Sequence, residues 1–243
     1  MRAPLALAAA AVMALGAGTA LAQEPLTFAS SLGEVAIHTV GHGSLRIEVA
    51  DLVVHVDPWS NVADYALQPD ADLVLVTHTH QDHFDPAALE QVATEGTVFV
   101  MDGSSAAEFD GEATALANGE TFEFEGITIT AVPAYNLVRT RDDGNPYHPM
   151  GMFNGYLLDI GDLRVHVAGD TECVPEFADL GEVDVSFLPI NLPFTMPPEE
   201  AAECYRTIAP AVAVPYHQGD SDPQVVADLL ADTDIDVRVL ALP

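Results

Sequence analysis

Hydrophobic residues in the first half of the chain fall in short runs rich in valine, isoleucine and leucine, separated by Gly, Pro or Asp. Runs of this length and composition are typical of β-strands. They predict strands over Val35–Val40, Leu45–Ala50, Leu52–Asp57, Leu73–Thr77, Thr97–Met101, Thr121–Glu125 and Ile127–Val132. A helix is expected to begin at Pro86, because proline is favoured in the first helical turn and Asp85 can cap the free backbone N–H groups.

The second half of the chain repeats this rhythm and adds helical segments. Strands are predicted over Gly155–Ile160, Leu163–Ala168, Val183–Pro189, Ala211–Tyr216 and Val237–Leu240. Helices are expected near Pro198–Ile208 and Pro223–Ala231. Early hairpins followed by alternating strands and helices indicate two sheets covered by outer helices.

Residues 1–22 have the features of a secretory leader: Arg2 near the start, an apolar middle and the small-x-small site Ala20-Leu21-Ala22. Cleavage there would leave one domain over residues 23–243, without stable membrane insertion, in the periplasm or outside the cell. The alternative is an uncleaved membrane anchor, which the short apolar stretch disfavours.

Acidic residues dominate the charge of the chain. Its 38 Asp and Glu side chains face 7 basic ones, all of them arginine, and the formal net charge is −31. Such an excess repels polyanions over about 8 Å at physiological ionic strength. Nucleic acid is therefore not expected as a partner, and a small-molecule substrate is. The oligomeric state is left open.

Four potential metal ligands follow the apolar run Leu73–Val76 directly. The segment from Thr77 reads Thr-His-Thr-His-Gln-Asp-His and carries His78, His80, Asp82 and His83. A turn after a strand does not keep the strand's alternation of faces, so two imidazoles can face one ion and the other two ligands a neighbouring ion. A two-metal site is the leading hypothesis, against a solvated polar loop.

This segment resembles the His-x-His-x-Asp-His motif of the metallo-β-lactamase superfamily. Three further segments resemble the branch that includes the ascorbate-lactone hydrolases and many zinc-dependent hydrolases: Gly41-His42-Gly43-Ser44, Val56-Asp57-Pro58 and residues 188–196. The resemblance implies an α/β (α+β) fold, a four-layer αβ/βα sandwich, with the metals on loops at one edge.

The resemblance also implies roles for individual residues. The aspartate of the Gly-Asp-Thr turn, Asp170, would bridge two ions, and the histidine after a late strand, His217, would be the last metal histidine. His42 would lie near the metals as a supporting or substrate-contacting group, and Asp57 would orient a metal histidine. The first ion would then be held by His78 and His80, and the second by Asp82, His83 and His217.

The third histidine of the first metal site has no counterpart at its usual position, where this chain has Ala134-Tyr135-Asn136. An amide is a poor zinc ligand compared with imidazole. Either His148 or water can complete the site, and both alternatives stay open.

These expectations lead to an exported hydrolase that binds Zn²⁺, with two ions. A metal-bound hydroxide, oriented by Asp82 with His42 nearby, would attack a small ester, lactone or phosphodiester. The alternative is a non-catalytic exported metal-binding protein of the same fold, and an iron redox protein is less favoured.

The only two cysteines, Cys173 and Cys204, can pair in an oxidising compartment. Cys173 lies three residues after Asp170, so thiolate ligation of a metal is a further alternative. A disulfide or a structural thiol is the favoured interpretation.

Overall fold

Fourteen strands in two sheets form the centre of the protein, seen in a computed structural model that describes residues 24–240. The predicted leader over residues 1–22 lies outside the described residues. The first sheet has the strand order β1 to β7: Leu26–Ser30, Gly33–Gly41, Ser44–Val49, Leu52–Val56, Leu73–Val76, Val98–Met101 and Thr114–Ala115. The second sheet contains β8 to β14: Thr121–Phe124, Ile127–Ala134, Phe153–Ile160, Leu163–Val167, Val185–Pro189, Val212–Tyr216 and Asp236–Val237.

The two sheets have the same internal topology. In each, the first four strands pair antiparallel and the remaining pairings are parallel. Parallel neighbours end at the same edge of a sheet, so the loops that follow β4, β5, β11 and β13 are brought to one side. The His/Asp motif follows β5, Asp170 follows β11 and His217 follows β13, whereas His148 lies in the loop between β9 and β10.

The helices are α1 (Pro86–Val92), α2 (Gly103–Glu108), α3 (Pro198–Ile208) and α4 (Gln224–Leu229), with short 3₁₀ turns at Tyr65–Leu67 and Pro175–Asp179. The largest buried cluster lies between the sheets, and two further clusters separate each sheet from its helices. This four-layer αβ/βα arrangement confirms the predicted fold.

Strand β5 shows why its sequence is apolar without interruption. Leu73 and Leu75 point into the layer between the sheets, whereas Val74 and Val76 pack under α1. All four side chains are buried. A strand covered on both faces cannot alternate between apolar and polar residues, which is why this run reads as continuous.

Asp85 caps α1 as the sequence predicts, with its carboxylate accepting from the backbone N–H of Ala87 at 3.0 Å and Ala88 at 3.4 Å. Three elements were missed: the half-exposed edge strand β1, helix α2 and the two-residue strand β7. Helix α2 is Gly/Ser-rich at its start and depends on the buried cap Asp102, which accepts from Ser104 N at 2.7 Å. The strand expected over Val237–Leu240 is shorter, because only Asp236 and Val237 pair with β13.

Cys173 and Cys204 form a disulfide with a Cα–Cα distance of 5.6 Å. It joins the turn after β11 to α3, and both sulfurs are used in this bond. Thiolate ligation of a metal by Cys173 is therefore excluded in this structure. No helix within residues 24–240 is both long and apolar enough to cross a bilayer.

His166, on β11, is a buried histidine away from the ligand-rich edge. Its Nδ1 lies 3.0 Å from Ser186 Oγ, and burial lowers the pKa of the imidazole to about 3. The unfolded chain takes up a proton there near pH 6.5, whereas the folded chain does so only near pH 3. Between these values the unfolded state binds more protons, so His166 weakens the fold as the pH falls.

We expect His166→Gln to flatten this dependence. The difference in free energy of unfolding between the variant and the wild type should shift in favour of the variant by about 2 kcal/mol as the pH falls from about 8 to about 5. The reason is that each pH unit below 6.5 costs the wild type about 1.4 kcal/mol for one proton. Urea unfolding with a chelator present at both pH values measures this. The partly exposed His38→Gln is the control and should show a smaller change. Parallel pH curves for wild type and His166→Gln would contradict the assignment.

Candidate metal centre

The buried carboxylate of Asp57 joins the ends of β4 and β5. It accepts from Thr77 N at 2.8 Å, from Thr77 Oγ1 at 2.6 Å and from His83 Nδ1 at 2.8 Å. A carboxylate only accepts, so His83 carries its proton on Nδ1 and turns Nε2 toward the centre of the site. Asp57 therefore orients a histidine of the motif, in the position that the sequence suggested.

One group of ligand atoms forms around His83 Nε2. His217 Nε2 lies 3.0 Å away, and Asp170 Oδ1 lies 3.4 Å from His83 Nε2 and 3.3 Å from His217 Nε2. Asp82 Oδ2 is 3.7 and 3.5 Å from the same two nitrogens. Ligands at zinc bond lengths in a tetrahedron are about 3.4 Å apart, so these separations fit one ion. Asp170 Oδ1 is buried without a hydrogen-bond partner among the described residues, which is consistent with a role as a metal ligand.

A second group of ligand atoms forms around His80 Nδ1. His78 Nε2 lies 3.0 Å from it and His148 Nε2 lies 3.2 Å from it. Asp170 Oδ2 is 3.4 Å from His148 Nε2 and 4.0 Å from His78 Nε2. These atoms all lie within 4.8 Å of one another and can hold a metal ion. The two oxygens of Asp170 thus face different groups.

The backbone brings Asp170 to this position through a turn at Gly169. Gly169 has φ +63°, and a Cβ there would lie 2.9 Å from the carbonyl oxygen of Asn154. Only glycine combines this left-handed conformation with so close an approach to the neighbouring strand. The turn therefore delivers the carboxylate from the second sheet to histidines carried by the first sheet.

Hydrogen bonds outside the two groups select the tautomers of the other histidines. Thr77 Oγ1 donates its proton to Asp57. A lone pair of the same hydroxyl oxygen therefore accepts from His78 Nδ1 at 3.0 Å. Asn136 Oδ1 accepts from the backbone N of His148 at 2.7 Å and from its Nδ1 at 2.9 Å. In both imidazoles Nε2 is left without a proton and faces its ligand group, as metal binding requires.

Asn136 is thus a neighbour of a ligand group rather than a member of it. Its amide nitrogen donates to the carbonyl oxygen of Phe194 at 2.8 Å. The imidazole of His148, which the sequence analysis weighed against water, lies in this group with its Nε2 3.2 Å from His80 Nδ1. The non-catalytic alternative depended on an amide at a ligand position, and the structure places an imidazole there instead.

His42 lies at the open side of the site, in the tight turn between β2 and β3. It has φ +52°, and its Nε2 donates to Asp82 Oδ2 at 3.0 Å. The centroid of its ring lies 3.7 Å from the centroid of the His217 ring and 4.8 Å from that of the Trp59 ring. The next residue must be glycine, since a Cβ at Gly43 would lie 2.9 Å from His83 Cε1. This contact gives a physical reason for the Gly-His-Gly-Ser segment.

Burial and neighbouring charges set the protonation of the ligands. Burial lowers the pKa of His78 well below its ordinary value and that of His80 to about 4, so both imidazoles are neutral near pH 7. Burial also tends to lower the pKa of His83, but the carboxylates of Asp170 and Asp57 together outweigh it and raise this pKa to about 10. A metal ion that binds His83 Nε2 must displace that proton, so metal uptake releases protons.

Glu172 holds the loop that carries Asn136 and His148. Its buried carboxylate accepts from the backbone N–H groups of Leu137 and Val138 at 3.0 Å and of Arg139 at 2.8 Å. Thr171, its neighbour, accepts from Tyr135 N at 3.0 Å. Sequence reasoning missed this role, because an acid after a Gly-Asp-Thr turn carries no signal about a loop more than thirty residues earlier. It also missed Arg141, at the rim of the site.

A double-sheet sandwich with His/Asp groups at one edge that can hold metal ions defines a metal-binding protein of the αβ/βα class. The chain belongs to the family described as the Beta-lactamase superfamily domain, whose profile matches residues 36–217. This confirms the family resemblance read from the sequence motifs.

Relatives and solved structures agree with this assignment. A UPF0173 metal-dependent hydrolase of Methanopyrus kandleri is 33% identical, over 84% of this chain and 94% of the relative. One from Thermus thermophilus is 31% identical, over 78% and 86%. A crystal structure from Parabacteroides distasonis, ascribed to the metal-dependent hydrolases, is 40% identical with a TM-score of 0.86, covering 90% of this chain and 99% of that one. The chain is accordingly a metal-dependent hydrolase.

We expect Asn136→Ala to weaken binding of one metal ion by about 10- to 100-fold, because it removes the acceptor that fixes the tautomer and orientation of His148. Competition with a chromophoric chelator measures the stepwise zinc affinities. Asn145→Ala, in the same loop, is the matched control, because it removes an exposed amide whose side-chain hydrogen bond within residues 24–240 is to Asp143. Unchanged affinities for both ions in Asn136→Ala would contradict this role.

Proposed function

We propose that this hydrolase is an exported enzyme that uses two zinc ions to hydrolyse a small ester or lactone, with a small phosphodiester as the other substrate class that its chemistry allows. The observation that carries the proposal is the carboxylate of Asp170, whose Oδ1 faces one ligand group and whose Oδ2 faces the other. A shared carboxylate of this kind is suited to hold two cations side by side.

In this proposal the first ion is held by His78, His80 and His148, and the second by Asp82, His83 and His217. Asp170 is common to both. Imidazole and carboxylate ligands suit zinc, and four of them surround each proposed ion when Asp170 is counted in both groups. The disulfide-bonded cysteines offer no competing thiolate site. Zinc bound there would act as a Lewis acid on the substrate and lower the pKa of water toward 7.

Asp82 is the residue that we assign to the attacking water. Its carboxylate is 30% exposed, whereas Asp170 is 4% exposed, so Asp82 borders the space open to substrate. With one oxygen near His83 and His217, the second can orient water and accept its proton. His42 donates to Asp82 at 3.0 Å and keeps the carboxylate turned toward the ligands, and we assign it a supporting or substrate-contacting role.

The substrate class follows from charge and surroundings. The large negative charge of the chain disfavours polyanionic RNA or DNA. Exposed apolar side chains cluster on the two loops beside the site, among them Leu137, Met150, Leu192 and Phe194. Apolar walls near a metal pair support a small organic ester or lactone. A β-lactam is a less favoured substrate of the same chemistry.

Export is supported by the leader-like composition of residues 1–22 and by the Cys173–Cys204 disulfide, since disulfides persist in oxidising compartments. Expression of the full chain with its leader, followed by fractionation and mass measurement, tests this. A mature chain that begins at Gln23 in the periplasm or medium is expected. A full-length chain retained in the membrane would favour the anchor instead.

Metal content is the first measurement. We expect two zinc ions per chain by elemental analysis after purification without added metal. Removal with a chelator should abolish hydrolysis of lactone and ester probes, and two equivalents of zinc should restore it. Full activity with one ion per chain would contradict the proposal that Asp170 is a ligand shared by two zinc ions.

Asp82→Asn should lower kcat by at least about 1000-fold, because an amide cannot accept the proton of the attacking water. The thermal unfolding temperature of the zinc-free protein should change little, since Asp82 is partly exposed. Asp51→Asn, in the exposed turn between β3 and β4, makes the same chemical change away from the site and serves as control. Retained turnover in Asp82→Asn with two zinc ions bound would exclude this role.

A further inference from the structure

Arg141 lies at the rim of the metal centre, on a tight turn between β9 and β10. Its backbone N donates to the carbonyl oxygen of Asn145 at 2.7 Å, and Thr140 pairs with Pro146 in an isolated β-bridge. Its Nη2 lies 3.2 Å from His80 Nε2 and donates to the carbonyl oxygen of Tyr147 at 3.4 Å. The guanidinium is therefore held at the outer edge of a proposed metal ligand.

This guanidinium differs from the others in its lack of a carboxylate partner. Within residues 24–240 the other five arginines each have a carboxylate oxygen within 4.0 Å: Arg46, Arg139, Arg164, Arg206 and Arg238. Arg141 has none in that part of the chain, although the chain has 38 acidic residues. The nearby Asp143 instead accepts from the backbone and side chain of Asn145, both at 3.0 Å.

Aromatic contacts hold the unpaired charge in place. The guanidinium lies 5.1 Å from the centroid of the Tyr147 ring, and that ring contacts Phe194 edge-on at 5.1 Å. A cation–π contact at an exposed site is weakly attractive and favours this position of the guanidinium. Arg141 is thus an exposed but positioned cation, unlike a side chain that moves freely in solvent.

The position of the proton on His80 indicates what kind of group can bind beside Arg141. His80 Nδ1 faces His78 and His148 and is the atom that would bind the ion. A neutral imidazole that coordinates through Nδ1 carries its proton on Nε2. Arg141 Nη2 lies 3.2 Å from His80 Nε2 and can only donate, so zinc on Nδ1 would set two donors against each other and leave both without an acceptor. An acceptor that contacts both resolves this conflict.

We propose that Arg141, together with the Nε2–H of His80, binds an anionic oxygen group of the substrate, a carboxylate or a phosphate, beside the ester or lactone bond. This rests on the proposed two-zinc function, because the tautomer of His80 depends on metal binding through Nδ1. Bidentate hydrogen bonds from a guanidinium suit either anion. Arg141 determines specificity and takes no part in bond breaking.

Binding of simple anions tests the proposal without any turnover. Calorimetric titrations of the zinc-loaded protein with inorganic phosphate and with succinate give a Kd for each anion and show which one the site prefers. We expect Arg141→Gln to raise the Kd of the preferred anion by about 10- to 100-fold. Arg141→Lys keeps the charge but not the planar guanidinium, and its Kd should lie between those of the wild type and Arg141→Gln. Some affinity should remain, because anions also bind zinc directly.

Arg238→Gln is the matched control, because it removes the same charge from an exposed arginine at the far end of β13 from His217. We expect its Kd values to lie within about twofold of the wild type. Equal anion binding by Arg141→Gln and wild type, with two zinc ions present in each, would overturn the proposal.

A second readout uses two p-nitrophenyl esters, the neutral acetate and the carboxylate-bearing glutarate. The ratio of kcat/KM for the glutarate to that for the acetate should fall at least about tenfold in Arg141→Gln, mainly through KM, and stay constant in Arg238→Gln. An unchanged ratio in Arg141→Gln argues against an anion contact. If the wild type hydrolyses neither ester, the proposed ester activity fails, and the titrations still decide the role of Arg141.

Discussion

The buried carboxylate of Asp57 is the constraint on which the metal centre depends. It holds the start of the ligand motif through Thr77 and one of its histidines through His83. Thr77 in turn accepts from His78, so one carboxylate sets proton positions in both ligand groups. A buried charge of this kind is stable only when fully hydrogen-bonded, and here its partners are the residues that the chemistry requires.

The two sheets make unequal contributions to this centre although their topologies match. The first sheet supplies the dense motif after β5 and the turn that carries His42. The second supplies Asp170, His217 and the loop with His148. Because Asp170 reaches both ligand groups, neither sheet alone can form either of them.

Much of this was accessible from the sequence, because the relevant signals are local. Seven residues after β5 carry four of the ligands, and the continuous apolar run before them predicted a buried strand. The remaining features are contacts between distant segments. Neither the choice of His148 over Asn136, nor the reach of Glu172 to the loop over residues 137–139, nor the position of Arg141 follows from periodicity or spacing. Each depends on how a loop folds back over a sheet edge.

That loop is attached unevenly along its length. Its base is tied to the turn of Asp170 by Thr171 and Glu172, and this turn is tied to α3 by the disulfide. Its tip consists of residues 141–146. Beyond Arg141, the contacts of residues 142–146 in the described part of the chain are the bridge from Pro146 to Thr140 and local hydrogen bonds within the turn. Changes in the tip can alter which molecules are recognised while the base keeps His148 in place. In evolutionary terms, substrate preference can diverge here without disturbing the catalytic machinery.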